Sequence, residues 1–284
     1  MMQTLVLGTA NFGEQYGIST ESALTSKQVD EILTWSSLRI AELDTSLDYK
    51  GSHTAISAYS KEFSITTKIN LGVLKKPSET PLIVRRVRRE LCKDKVERIL
   101  LRPHPKDRLF TLKAIEELDK LKSNGTIMDF GLSIYETDEL DYFINNVRPP
   151  MTFQVPLNLF NRSFQEVIDC NQERYRDFNY YVRSIFLQGL LLLNPEEVPS
   201  KLKEAVEPLV LLKKELSKVG LSPLEATIMF IKSQQWVDGV VIGIRSLDEL
   251  KRNFELFYEG NVCDMSFLKT LPNTPSRISD PRKW

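Results

Sequence analysis

Ile40-Ala41-Glu42-Leu43-Asp44-Thr45-Ser46-Leu47-Asp48-Tyr49 and, one short segment later, Phe63-Ser64-Ile65-Thr66-Thr67-Lys68 are two apolar runs that each end in a charged side chain. The pattern extends in both directions. Candidate strands fall at Thr4–Leu7, Ile40–Asp44, Phe63–Ile69, Val96–Leu101, Met128–Ser133, Met151–Leu157, Tyr180–Phe186 and Gly239–Ile244. Between them lie helical patterns at Ser26–Ser36, Pro81–Leu91, Thr111–Lys122, Thr137–Asn145, Gln165–Arg174, Leu202–Val219 and Leu247–Phe257. Strands alternating with helices predict a parallel sheet, and eight such strands close into a (β/α)8 TIM barrel. An open doubly wound sheet would want GxGxxG after its first strand, and none of the 12 glycines supplies that motif. The expectation is an α/β protein with one barrel domain over residues 1–259. Residues 260–284, polar and proline-containing, are expected as a tail draped over it.

Local signals agree. Thr25 or Ser26 opens the first helix, and Ser222-Pro223-Leu224-Glu225 reads as a cap, a proline in the first turn and an acid behind it. Asn124-Gly125 after Lys122 is a stop.

Thirty-eight basic side chains balance 38 acidic ones, which gives no electrostatic reason to expect nucleic acid or an anionic membrane as partner. Cys92, Cys170 and Cys263 are odd in number, far apart and without CxxC, so they read as reduced thiols in a cytoplasmic protein. Met1-Met2-Gln3-Thr4-Leu5-Val6-Leu7 has no basic start or long apolar stretch, and no targeting signal is visible. Arg85-Arg86-Val87-Arg88-Arg89 has the spacing of the solvated outer face of an amphipathic helix.

A barrel builds its active site from loops at the carboxyl ends of its strands. Those ends read Gly8-Thr9, Asp44, Lys68, His104, Ser133, Gln154, Arg183 and Arg245, a glycine or polar group at each. Tyr49 follows Asp44 in the same loop. A phenol titrates near ~10 and donates protons poorly at neutral pH. A lysine ammonium beside it, held by a carboxylate, makes it a usable general acid. Asp44, Tyr49 and Lys68 supply that set, which suits protonation of a carbonyl oxygen as a hydride reaches the carbon.

The chain resembles the aldo-keto reductase family over nearly its whole length. Leu7-Gly8-Thr9-Ala10-Asn11-Phe12-Gly13 is similar to the family's opening loop, and Asp44-Thr45-Ser46-Leu47-Asp48-Tyr49 to its Asp-Thr-Ala-x-x-Tyr segment. Thr67-Lys68, Gly131-Leu132-Ser133, Gln154-Val155-Pro156-Leu157-Asn158-Leu159, Leu187-Gln188-Gly189-Leu190 and Val241-Ile242-Gly243-Ile244-Arg245-Ser246 follow in family order. The resemblance implies NADPH-dependent reduction of an aldehyde or ketone, with NADP(H) extended across the barrel mouth. It implies Tyr49 as proton donor, tuned by Lys68 and Asp44. Ser133 and Gln154 would hold the nicotinamide carboxamide, and Arg183 would stack where many members place an aromatic ring. Gly8 and Thr9 belong to the cofactor loop. Gly243, Arg245 and Ser246 would contact the phosphates, and Asn253 with Glu249 would lie near the adenine. The expected partner is a small-molecule carbonyl compound, sugar-like or otherwise, and the expected assembly a monomer or small homo-oligomer.

The family's fourth catalytic residue is a strand-end histidine. Ile99-Leu100-Leu101-Arg102-Pro103-His104-Pro105 puts Leu101 or Arg102 at that place and His104 just beyond it. His104 is expected to swing back into the site because prolines on both sides bend the loop. Ile134 stands where the family has an asparagine. These departures motivate a second reading, a catalytically impaired barrel that binds NADP(H) in a regulatory role.

Overall fold

The computed structural model describes residues 3–18, 23–260, 265, 268, 271 and 274–284. Eight parallel strands close into one barrel: β1 (Thr4–Gly8), β2 (Glu42–Asp44), β3 (Ser64–Asn70), β4 (Val96–Arg102), β5 (Ile127–Ser133), β6 (Thr152–Pro156), β7 (Asn179–Arg183) and β8 (Gly239–Gly243). β8 pairs back onto β1 through the register Gly8↔Gly243. Helices cover the outside while side chains fill the inside. Both strand faces are therefore buried, and the strands read as unbroken apolar runs such as Ile99–Leu101.

Alternate strand residues share a face. Glu42, Thr66, Arg98, Asp129, Thr152 and Tyr181 meet low in the interior. There Arg98 pairs with Glu42 at 3.4 Å and Asp129 at 3.3 Å, and the Tyr181 hydroxyl donates to Glu42 at 3.2 Å. Two residues on, the same strand faces carry Asp44, Lys68, Gln154 and Arg183 to the carboxyl rim, and β5 brings Ser133 there four residues beyond Asp129.

Several boundaries differ from the sequence expectation. The expected Thr111 helix runs Arg108–Ser123, because the Asp107 carboxylate accepts from the Phe110 N–H at 2.9 Å and starts it earlier. Leu202–Val219 divides into a 3-10 turn, Ser200–Ala205, and a helix, Val206–Lys218. Gln165–Arg174 divides into Ser163–Cys170 and Gln172–Tyr175 around the non-helical Asn171. The Tyr180–Phe186 run leaves the sheet after Arg183, where Ser184 takes a φ of 57°.

Of the expected tail, residues 261–264, 266–267, 269–270 and 272–273 lie outside the described residues, with Cys263 among them; Met1 and Met2 lie outside as well. Arg162 donates to the Leu268 carbonyl at 2.9 Å and the Leu271 carbonyl at 3.2 Å. Arg282 reaches Glu136 and lies 3.7 Å from the Tyr135 ring centroid. Among the described residues no helix is long and apolar enough to cross a membrane, and no group of His, Cys, Asp or Glu could hold a metal ion.

Candidate active site

Asp44 and Lys68 end up side by side because β2 and β3 are neighbours in register, Asp44↔Thr66. Both are buried. The Lys68 ammonium contacts Asp44 Oδ1 and donates to the Thr45 carbonyl at 3.0 Å. The other Asp44 oxygen accepts from Gln154 Nε2 at 2.7 Å, and Gln154 Oε1 accepts from Ser133 Oγ at 3.2 Å. The pairing Ser133↔Gln154 across β5 and β6 makes that last contact. Burial lowers the Lys68 pKa to about 8, with Asp44 opposing the shift.

Tyr49 reaches this pair from a loop whose backbone is tightly fitted. A Cβ on Gly13 would lie 1.9 Å from the Lys50 carbonyl oxygen, and Gly51 takes a φ of +75°. Only glycine at position 13 lets the β1 and β2 loops touch. Below them Ser52 Oγ shares hydrogen bonds with Thr9 Oγ1 at 2.6 Å and Thr45 Oγ1 at 3.0 Å. The Lys68 ammonium sits 5.6 Å from the Tyr49 ring centroid. No hydrogen bond joins it to the phenol, since Asp44 and Thr45 engage it instead. The Tyr49 pKa is raised well above its ordinary value, first by burial and then by Tyr16 and Asp44, against Arg102 and Arg183. That is the reverse of the acidification expected from sequence. The phenolate would lose its hydration, and this loss outweighs the pull of the neighbouring cations.

A cavity of about 480 Å³ opens beside Tyr49. Gly8, Asp44, Tyr49, Lys68, Arg183, Gly243, Arg245 and Glu249 line it, all of them expected site residues. A second cavity of about 770 Å³ shares Leu192, Arg245 and Glu249 with it and continues to Ser246, Arg252 and Asn253. The two cavities adjoin at Leu192, Arg245 and Glu249. Asn253 is 1% exposed, and neither its Nδ2 nor its Oδ1 has a hydrogen-bond partner among the described residues. A buried unpaired amide costs ~1–3 kcal/mol, which a ligand offering both a donor and an acceptor recovers. The donor set at this end therefore fits a nucleotide base, with Arg245 and Arg252 beside it for phosphates.

Thr9, Ser133 and Gln154 lie off the cavity walls. Thr9 is fully buried in the hydroxyl cluster, and Ser133 and Gln154 are buried behind Asp44. Arg183 stacks on Tyr135 at 3.9 Å and donates to the Ile134 carbonyl at 3.0 Å. His104 corrects the sequence expectation. Its ring stacks on Phe110 at 4.7 Å, its backbone N–H donates to Thr111 Oγ1 at 3.0 Å, and it is absent from the cavity lining. The helix cap at Asp107 draws the loop outward. Arg102, the last residue of β4, lines the cavity in its stead. Tyr16, Tyr135 and Arg252 also escaped the sequence reading; no motif marks them, because they come from rim loops and a helix flank.

The Aldo/keto reductase family is matched over residues 4–267. The chain belongs to that family. Family membership makes this aldo-keto reductase a carbonyl-reducing oxidoreductase in general terms, of a family that generally uses nicotinamide cofactors. The fold is shared with an aldo-keto reductase from Bacillus halodurans solved in its holo form, at 18% identity and a TM-score of 0.78, over 99% of this chain and 95% of that one. A Pseudomonas aeruginosa protein assigned to the aldo-keto reductases gives 18% identity and a TM-score of 0.68, over 91% of each chain. No curated protein matches this aldo-keto reductase in sequence.

Proposed function

We propose that the protein reduces an aldehyde or ketone to an alcohol with NADPH, and that Tyr49 Oη gives the proton. The observation that carries this is the pair of adjoining cavities, one at Tyr49, Lys68 and Asp44 and the other at the amide of Asn253, unpartnered among the described residues. Gly243, Arg245, Ser246 and Arg252 would hold the cofactor's phosphates, and Asn253, with Glu249 nearby, its adenine. Arg252 has no acidic partner within ion-pair distance among the described residues, whereas Arg245 lies 3.7 Å from Glu249. When bound, the dihydronicotinamide supplies a hydride to the carbonyl carbon.

The chain's own groups do the rest. A Tyr49 pKa held high keeps the phenol protonated at neutral pH, so a donor is present in nearly every molecule. As its proton moves to the carbonyl oxygen, negative charge develops on Tyr49 Oη. The Lys68 ammonium, charged below about pH 8 and anchored by Asp44, opposes that charge. Gln154 and Ser133 support Asp44 from behind, and Arg183 borders the site. Tyr135, Ile18, Ile185 and Phe186 exclude water from one side. The protein is expected to act in the cytoplasm.

A second reading, a cofactor-binding barrel with little turnover, draws on the outward position of His104. NADPH titration by fluorescence, run beside a panel of aldehydes and ketones, separates the two. NADPH oxidation by any panel member supports the reductase, and tight binding without oxidation supports the regulatory protein.

A further inference from the structure

The charges that line the Tyr49 cavity do not cancel in place. Lys68 is matched by Asp44, and Arg245 lies near Glu249. Glu197 is spent on a turn, where its carboxylate accepts from the Asn194 N–H at 2.7 Å. That leaves Arg183, which has no acidic partner within ion-pair distance among the described residues, and Arg102, whose acidic partner Asp48 lies outside the lining. Among the described residues Arg183 donates only to neutral oxygens, the Ile134 carbonyl at 3.0 Å and Ser184 Oγ at 3.5 Å, and stacks on Tyr135. Arg102 is ion-paired through Nη1 to Asp48 at 2.6 Å, while its Nε is buried without a hydrogen-bond partner among the described residues.

A half-buried guanidinium with unused donors carries a desolvation cost that a second oxyanion relieves. Its planar fork matches the spacing of carboxylate and phosphate oxygens, which a neutral carbonyl compound does not offer. The two arginines also sit where the chemistry is, since the charge of each acts on the Tyr49 phenol. In the proposed cofactor pose the phosphates would be held by Arg245 and Arg252, so Arg102 and Arg183 would remain for the substrate.

We infer that the substrate is a small carbonyl compound bearing an oxyanion, a carboxylate or a phosphate ester, which Arg102 and Arg183 grip beside Tyr49. This rests on the reductase reading and narrows its substrate. Arg102 becomes a specificity-determining residue at the strand end where the family resemblance expects a histidine.

The test uses matched pairs with NADPH: succinic semialdehyde against its methyl ester, and glyceraldehyde phosphate against glyceraldehyde. In the wild type, kcat/KM for the anionic member of at least one pair should exceed that of its neutral partner by about tenfold or more, as loss of a charge-assisted hydrogen bond predicts. Which pair discriminates identifies the oxyanion. Arg102→Gln should bring the ratio near one, and Arg102→Lys should keep part of it. Without turnover, succinate and inorganic phosphate should each be compared with succinamide for binding to the NADPH-loaded protein, and at least one anion should bind more tightly in an Arg102-dependent way. Equal turnover within both pairs overturns the inference and leaves the reductase standing. Arg102-dependent anion binding with no aldehyde reduced supports the anion site and sinks the reductase reading. No preference in either turnover or binding overturns the inference.

Discussion

Gln154 Nε2 donates to Asp44 Oδ2 at 2.7 Å from the far wall of the barrel, so the carboxylate that anchors Lys68 is itself held by β6. Replacing that amide strands a buried carboxylate oxygen. Gln154→Leu is expected to destabilise the protein by ~1–3 kcal/mol and to lower kcat. Urea denaturation of the two proteins measures the first effect, and an unchanged midpoint would show that Asp44 does not depend on Gln154.

Tyr49→Phe keeps the ring and removes the proton. Turnover should fall by at least ~10²-fold, the lower end for a positioned general acid, while the dissociation constant for NADPH stays within a few-fold. Stopped-flow NADPH oxidation and a fluorescence titration read the two quantities, and near-normal turnover removes Tyr49 from the mechanism.

The Lys68 pKa drops from 10.5 to about 8 on folding. Between those values the unfolded chain holds a proton that the native protein has released, so stability contributed by this residue rises with pH through that window. Below about pH 8 the native state bears the full cost of the buried charge. Reduction should decline over the same rise, as the cation beside Tyr49 is lost. Lys68→Met should flatten the stability slope relative to wild type in denaturation curves collected across the window.

Asn253 offers effects of opposite sign on stability and affinity. Asn253→Leu removes two unsatisfied buried atoms, so the ligand-free protein should be as stable as wild type or more so. NADPH affinity should nevertheless fall about tenfold or more, the equivalent of ~1.4 kcal/mol. Thermal melts with and without NADPH test both halves, and retained affinity would move the adenine away from this residue.

Gly13→Ala places a methyl group into the Lys50 carbonyl. The two loops must separate, at a cost of ~1–3 kcal/mol, and Tyr49 should shift with them. A kcat loss that accompanies the stability loss is expected, and wild-type behaviour in both would show that the loops part freely.

The barrel was legible because each strand is buried on both faces and therefore announces itself as an apolar run, whereas helix interruptions are set by single backbone angles such as that at Asn171. The rim positions Asp44, Lys68 and Gln154 were legible because strand alternation fixes which side chains enter the barrel. His104 was misplaced because it belongs to a loop, and a loop answers to its neighbours: the Asp107 cap and the Phe110 ring outweigh the two prolines. Phenol acidity was misjudged because sequence shows that a lysine is present and not which acceptor has already claimed it.

Tyr135 is clamped between Arg183 and Arg282, at 3.9 Å and 3.7 Å from its ring. During synthesis all eight strands leave the ribosome before residue 282 does, so this wall of the mouth is completed after the barrel. Products that stop short of it would carry a finished barrel with a loosened rim, and proteases would find that rim first.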